Sequence, residues 1–430
     1  MFIKIIKKYV SIHIVTALLL LISIASAQTQ NVIRINNIAD LQKIGTSSDF
    51  PSNGFYELTG NIDASSTRDG AGFAPVGTAS APFTGSFNGN GRTISNLRIN
   101  RPSSGSVGLF GVIGESGIVR SVVIDRAEII GSHSVGTVAG LNYGTIERCF
   151  VNGGSVRASR QESNAGGLVG VNGGVVNRSY SEAVVDGKDN VGGLAGFLTI
   201  ASRGVISQSY AVGGVTGTGR VGGLVGRVFG GTLSDCYAAG RVTAAGKGAV
   251  GGLIGDDFVL SAPSSVTWGK DNNGNYITKA VINRSYWDRD ASGQNASAGG
   301  TPKTTSDMRR HATFDGWNFL DVWSISEGVS YPRLQFGLGG GSGPGIIDRN
   351  SWLVTYEAKT GGYLQLNGIS NPVHLYIDPA VPRDTYGPRV TAVADDGWRF
   401  VKWSDGSTDP ERTDFVSRDI TLYAEFEVRP

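Results

Sequence analysis

The chain has 430 residues, with 64 glycines, 14 prolines, and 38 basic against 36 acidic side chains. Glycine is about twice its usual share of ~7%, yet no G-X-Y period runs through the chain, so a collagen is excluded. The near balance of charge excludes the basic footprint that a nucleic-acid partner requires.

The first residues read as an export signal. Lys4, Lys7 and Lys8 precede "IVTALLLLISIA", and Ala25-Ser26-Ala27 fits a small-residue cleavage site. A membrane anchor would need a longer apolar run. Residues 1–27 are therefore expected to be removed, and no cysteine follows to carry a lipid. Cleavage would take three lysines and no acid, leaving 35 basic against 36 acidic residues, a net charge of −1. No later segment is apolar for long enough to span a bilayer. A secreted or cell-surface location is expected, with no membrane span in the mature chain.

A motif then recurs: "NAGGLVGV" from Asn164, "NVGGLAGF" from Asn190, "RVGGLVGR" from Arg220 and "AVGGLIGD" from Ala249. Its last glycine falls at Gly111, Gly140, Gly170, Gly196, Gly226 and Gly255, at intervals of 29, 30, 26, 30 and 29. A fixed period of this size marks a stacked repeat. The text between motifs is short, β-branched, partly alternating, and bounded by Gly or Asn, as in "GVVNRSYSEAVV" and "GVISQSYAVGGV". It reads as strand. The pattern predicts an all-β fold, a parallel β-helix with one coil per repeat. A propeller blade would need about 40 residues. The six glycines are expected to be structural, turning corners or letting coils approach. Leu109, Leu168, Leu194, Leu224 and Leu253 should fill the interior, with Val138 in that place in the less regular second motif.

A Ser or Cys recurs at 121, 149, 179, 209, 236 and 285, usually just before an aromatic. Cys149 and Cys236 stand three repeats apart, about 14 Å at ~4.8 Å per stacked strand. A disulfide needs about 7 Å or less, so both should be free thiols. The last step of this series is 49 residues, against 27 to 30 before it. About 20 extra residues thus lie between Gly255 and Val281, and insertions in repeat arrays often map to a binding face. There Trp268 and Tyr276 flank Asp271 and an Asn273-Gly274 turn. These four, Trp268, Tyr276, Asp271 and Asn273, are the candidate ligand-binding residues, through aromatic stacking and side-chain oxygens. The competing reading is that the aromatics pack a hairpin onto the solenoid.

Signs of catalysis are missing. His133, His311 and His374 lack metal-ligand spacing, and neither H-E-x-x-H nor G-x-S-x-G occurs. No catalytic residue, metal or cofactor is expected. The carboxylate pairs are Asp256-Asp257, read as a turn, and Asp288 with Asp290 in "YWDRD". Asp288 is read as a loop or strand-end residue, with Tyr286 and Trp287 packing. A polysaccharide lyase or hydrolase would use clustered carboxylates and is the alternative function.

After Phe336, "GLGGGSGPG" reads as a flexible linker over 337–349. Residues 350–430 alternate apolar and polar positions between Gly and Asp turns, a small all-β domain.

The V-G-G-L-V-G copies resemble the GLUG repeat of secreted and surface proteins of bacteria. "FTGSFNGNGRTISNLRI" and "VINRSYWDRDASGQ" resemble the segments that open and close such arrays. The resemblance spans 31 to 336: opening coils over 31–105, repeats over 106–290, and an exit segment over 291–336. It implies an adhesin-like role. Some GLUG-bearing chains are immunoglobulin A proteases with a separate zinc peptidase, whose motif is not found here. "ADDGWRFVKWSDG" and "LYAEFEV" resemble the internalin-type B repeat, which implies a spacer or interaction module. The expectation is an exported, non-enzymatic protein that binds a host or matrix protein or a glycan.

Overall fold

The computed structural model describes residues 31–199, 204–246, 248–258, 280–320, 322–335, 351–366, 375–382, 385–386, 389–416 and 420–429. One coil shows how the chain is laid down. Strands Ile118–Arg120, Val123–Asp125, Glu128–Gly131, Ser134–Gly136 and Ala139–Asn142 follow one another around five faces, and Thr145–Glu147 begins the next turn. Each strand pairs in parallel with its counterparts one coil before and one coil after, as Val119 does with Phe87 and Ile146. The fold is a parallel β-solenoid of about seven turns, one coil per repeat. The first and second faces each have nine strands, and the third, fourth and fifth have six.

Stacking puts like on like inside. Ile146, Val176, Ile206 and Leu233 form an inward column on the first face, and Leu109, Val138, Leu168, Leu194, Leu224 and Leu253 fill a corner. No single coil could bury these side chains alone, which is why the repeat must recur.

The repeated motif spans the fourth and fifth faces. A Cβ on Gly196 would lie 2.6 Å from the Ala165 nitrogen and 2.7 Å from the Gly170 oxygen, both backbone atoms that cannot give way. The two sheets therefore meet through bare main chain, and any side chain would intrude.

The corner between the first and second faces works differently. There Ser121, Arg148, Arg178, Gln208, Asp235 and Arg284 take the left-handed conformation, with φ between 40° and 54°. That conformation is costly for non-glycine residues and must be held by its surroundings. The next residue supplies the hold. Cys149 and Ser179 donate their N–H groups to Ser179 and Ser209 Oγ, at 3.1 Å each, and Cys236 donates to Ser285 Oγ at 3.3 Å. Each hydroxyl or thiol donates back to a carbonyl two residues earlier in its own coil. The register corrects one member of the predicted series: Val122, not Ser121, stacks with Cys149, and Ser121 is the left-handed residue before it. Cys149 and Cys236 are free and buried, separated by the Ser179 and Ser209 rungs.

Both ends of the solenoid meet the chain's own cover. Near the start, the helix Ile38–Lys43 buries Leu41, with Asn37 accepting from the Asp40 N–H as its N-cap. At the far end Asp288, fully buried, caps the helix Arg289–Ser292 and also accepts from the hydroxyls of Thr305 and Tyr331. Its neighbours Tyr286 and Trp287 pack in two cores. The following segment covers the last strand edges: Gly252 donates to the Ala296 carbonyl, Ala298 donates to the Ile254 carbonyl, and Ser297 Oγ accepts from Leu253 and Ile254.

The outer side of the second face carries a column of Val123, Phe150, Tyr180, Tyr210, Tyr237 and Tyr286. The rings of Tyr180, Tyr210 and Tyr237 stack at 4.8 Å. Residues from Met308 to Leu334 fold over this column and bury it beneath Phe314, Trp317 and Trp323.

The C-terminal residues form a separate all-β unit. Ser351–Ala358 pairs in parallel with Ile420–Val428 and antiparallel with Leu375–Pro382, while Trp398–Trp403 pairs antiparallel with Ile420–Val428. Tyr356, Leu364 and Trp403 are its core.

Candidate binding surface

Trp268, Tyr276, Asp271 and Asn273 lie outside the described residues, as do the expected hairpin and linker. The structure does describe where their segment leaves and rejoins the solenoid: Phe258 and Ala280, at the corner from the fifth to the first face. The same corner takes only two residues, Tyr143-Gly144 and Gly173-Gly174, in earlier coils. Gly111, Gly140, Gly170, Gly196, Gly226 and Gly255 all lie within the fifth face, a few residues before this corner.

Asp256 and Asp257 are not in a turn. They end the strand Ile254–Asp257, in register with Arg227 and Val228 of the coil before. The strand reaches Asp257 at the same register position that Asn142, Asn172, Leu198 and Val228 hold in the earlier coils. Register then brings Phe197, Arg227 and Asp256 into one column.

Around that column a compact group forms. Arg220 Nη1 donates to Asp189 Oδ1 at 2.6 Å, and its Nε donates to Asp256 Oδ2 at 3.0 Å. Arg227 Nε approaches the same Asp256 oxygen at 3.4 Å. The Arg227 guanidinium lies over the Phe258 ring, 4.5 Å from its centroid, with Phe197 on another side at 6.0 Å. Phe258 in turn touches Phe229 at 5.7 Å and remains 39% exposed. Burial, and then the neighbouring Arg220 charge, lower the Arg227 pKa, but a guanidinium stays protonated.

Chemically this group is suited to holding rather than reacting. Asp256 is committed to two arginines and Asp189 to one. Asp288, the other candidate carboxylate, is used up as a helix cap. Among the described residues no cluster of three or more His, Cys, Asp or Glu could hold a metal ion. The aromatic and ionic group escaped sequence reasoning because its members are spread over 69 positions, from Asp189 to Phe258, and come together only through the register of successive coils. One signal was present. The third full motif copy reads "RVGGLVGR", with arginine at both flanks where the preceding copy has Asn190 and Phe197.

Comparison with known proteins fits this architecture. Residues 217–243 match the family model of the GLUG motif. A stretch of 144 residues, 32% of the chain, is 40% identical to 2% of halomucin from Haloquadratum walsbyi. A longer match, 30% identical over 461 aligned positions, covers 87% of the chain and 51% of a protein of Evansella cellulosilytica provisionally named a Gly-rich membrane protein. The chain thus spans about half, or far less, of the length of these relatives. A crystal structure provisionally described as an immunoglobulin A1 protease from Bacteroides ovatus superposes with a TM-score of 0.52 at 21% identity. It covers 70% of this chain and 91% of that one, a likeness of fold alone. The chain carries the GLUG repeat on a β-solenoid.

Proposed function

We propose that this GLUG-repeat chain is an exported, non-enzymatic, adhesin-like protein, whose solenoid is a rigid support for a binding edge. Residues 1–27 act as its export signal, and the unit over 350–430 is a spacer or second interaction module. The observation that supports this most is the gathering of Phe258, Arg227, Asp256 and Arg220 at the strand end from which residues 259–279 leave the solenoid. Insertions in solenoids commonly build the binding face. The insertion residues Trp268, Tyr276, Asp271 and Asn273 complete the edge in this reading. The names of the two sequence relatives, halomucin and a Gly-rich membrane protein, favour a place outside the cytoplasm.

The test is a glycan and matrix-protein array probed with the chain from Gln28 onward. Binding is expected, and replacing residues 259–279 with a short Gly-Ser loop should abolish most of it while leaving the melting temperature nearly unchanged. Trp268→Ala alone should account for much of the loss. Polysaccharides or immunoglobulins incubated with the chain should remain intact. Reproducible cleavage, lost in Asp256→Asn, would replace this reading with an enzymatic one.

A further inference from the structure

The group at the corner has a composition that narrows what it can hold. Phe258 offers an aromatic surface that is 39% exposed while Arg227 lies over its ring. Arg220 is held by two carboxylates, and Asp256 by two guanidiniums, so their positions are fixed before any ligand arrives. Two carboxylates, Asp189 and Asp256, face two guanidiniums, Arg220 and Arg227, so the local charge is balanced. Such a site does not attract an anion. Nor does it present the large dry patch that protein hot spots need, because charged groups flank the ring. We infer that this corner binds a neutral saccharide, with a pyranose face on the Phe258 ring and adjacent hydroxyls shared between Asp256 and Arg227.

Each part has a physical role. Sugar C–H groups pack on the electron-rich face of an aromatic ring, and vicinal hydroxyls match a carboxylate beside a guanidinium, one accepting and the other donating. Because the ion pairs hold both partners in place, little side-chain entropy remains to be lost on binding. The inference rests on the binding reading above and names the ligand class for the described part of that edge.

The experiment is calorimetric titration of the chain from Gln28 onward with neutral gluco-, xylo-, manno-, galacto- and chito-oligosaccharides, and with oligogalacturonate and sialyllactose as acidic controls. At least one neutral series should bind, and neither acidic probe should bind more tightly. Phe258→Ala should weaken binding at least tenfold, whereas Phe258→Tyr should retain it. Asp256→Asn should weaken it at least fivefold at an unchanged melting temperature. Where Asp256→Asn melts lower, the two Phe258 variants decide. Preference for an acidic probe, indifference to Phe258→Ala, or binding of no saccharide overturns the inference. In that last case a matrix protein captured by the same preparation leaves the adhesin reading standing, and the failure belongs to the ligand class alone.

Discussion

Two sides of the solenoid hold the coils in register by opposite means. On the seam of the fourth and fifth faces, main chain meets main chain: a Cβ on Gly226 would stand 2.3 Å from the Val191 nitrogen. On the second face large rings stack, Tyr210 on Tyr237 at 4.8 Å and 10° between planes, and a non-repeating segment closes over them. The seam is made by each coil with its neighbour, so the whole contact recurs with the repeat. The tyrosine side needs a cover, and among the described residues it comes from one segment, Met308 to Leu334. A repeat thus specifies its own stacking, but not what shields its outer face.

The sharpest way to break this contrast is Gly196→Val. Two backbones would have to separate, because no flexible side-chain end lies in the way. We expect a loss of about 4 kcal/mol or more, beyond ordinary overpacking, seen as a collapse of the thermal or urea transition. A parent-like melt would mean that the seam can open and that glycine there is a matter of turn geometry.

The corresponding change on the tyrosine side is Trp323→Ala. Trp323 is fully buried and packs on Tyr210, Tyr237 and Trp317. Its removal should cost about 3 kcal/mol. The damage should stay local: hydrogen exchange should rise in residues 308–334 and remain slow in the inward columns of the coils. Uniform loss of protection would show that the cover and the coils form one cooperative unit.

Alkaline titration separates the two sides further. Burial pushes the hydroxyls of Tyr180, Tyr210 and Tyr237 well above their ordinary value near 10, and it moves Tyr331 up to about 12. A phenol whose folded pKa is raised stabilises the fold fully below the unfolded value and loses that contribution as pH rises past it. Stability should be flat up to about pH 10 and decline above, with phenolate absorbance of these rings appearing only together with unfolding. In Trp323→Ala part of that absorbance should appear near pH 10 before the coils melt. Early titration in the parent chain would contradict a sealed face.

Much of this was legible in sequence, for reasons the two sides explain. Glycine spacing exposed the solenoid, its coil length and the leucine column, because main-chain contact tolerates only one residue type. The aromatics at 150, 180, 210, 237 and 286 were visible as a pattern, but their cover was not, since a segment such as 308–334 has no period of its own. The Asp256-Asp257 turn was misread because two adjacent acids look like a loop when pairing with Arg227 in the coil before is unseen. The series at Ser121 slipped by one residue because a serine also suits the left-handed position beside the true rung, Val122. The corner group at Arg220, Arg227 and Phe258 depends on register between coils, which flanking residues hint at and only the stacked structure assembles.

The smallest expected effect comes from the rung between these two worlds, the Ser/Cys ladder. Cys149 Sγ donates to the carbonyls of Glu147 and Val119, and its N–H is taken by Ser179 Oγ. Ser179 repeats the same local bonds with a hydroxyl, so the position asks for a small donor and not for sulfur. Cys149→Ser and Cys236→Ser should each shift stability by no more than about 1 kcal/mol, the net worth of one exchanged hydrogen bond. Cys149→Val should cost more, by removing the side-chain donor to the Glu147 and Val119 carbonyls and leaving Glu147 with the Ser121 N–H alone, even though Val122 holds the equivalent place one coil earlier. Burial also pushes both thiols up to about 12, so neither should react with a thiol reagent in the folded chain at pH 8. In denaturant without reductant two groups per chain should appear. Rapid modification of the folded chain would place the ladder at the surface and undo the register on which the corner, the seam and the tyrosine column all depend.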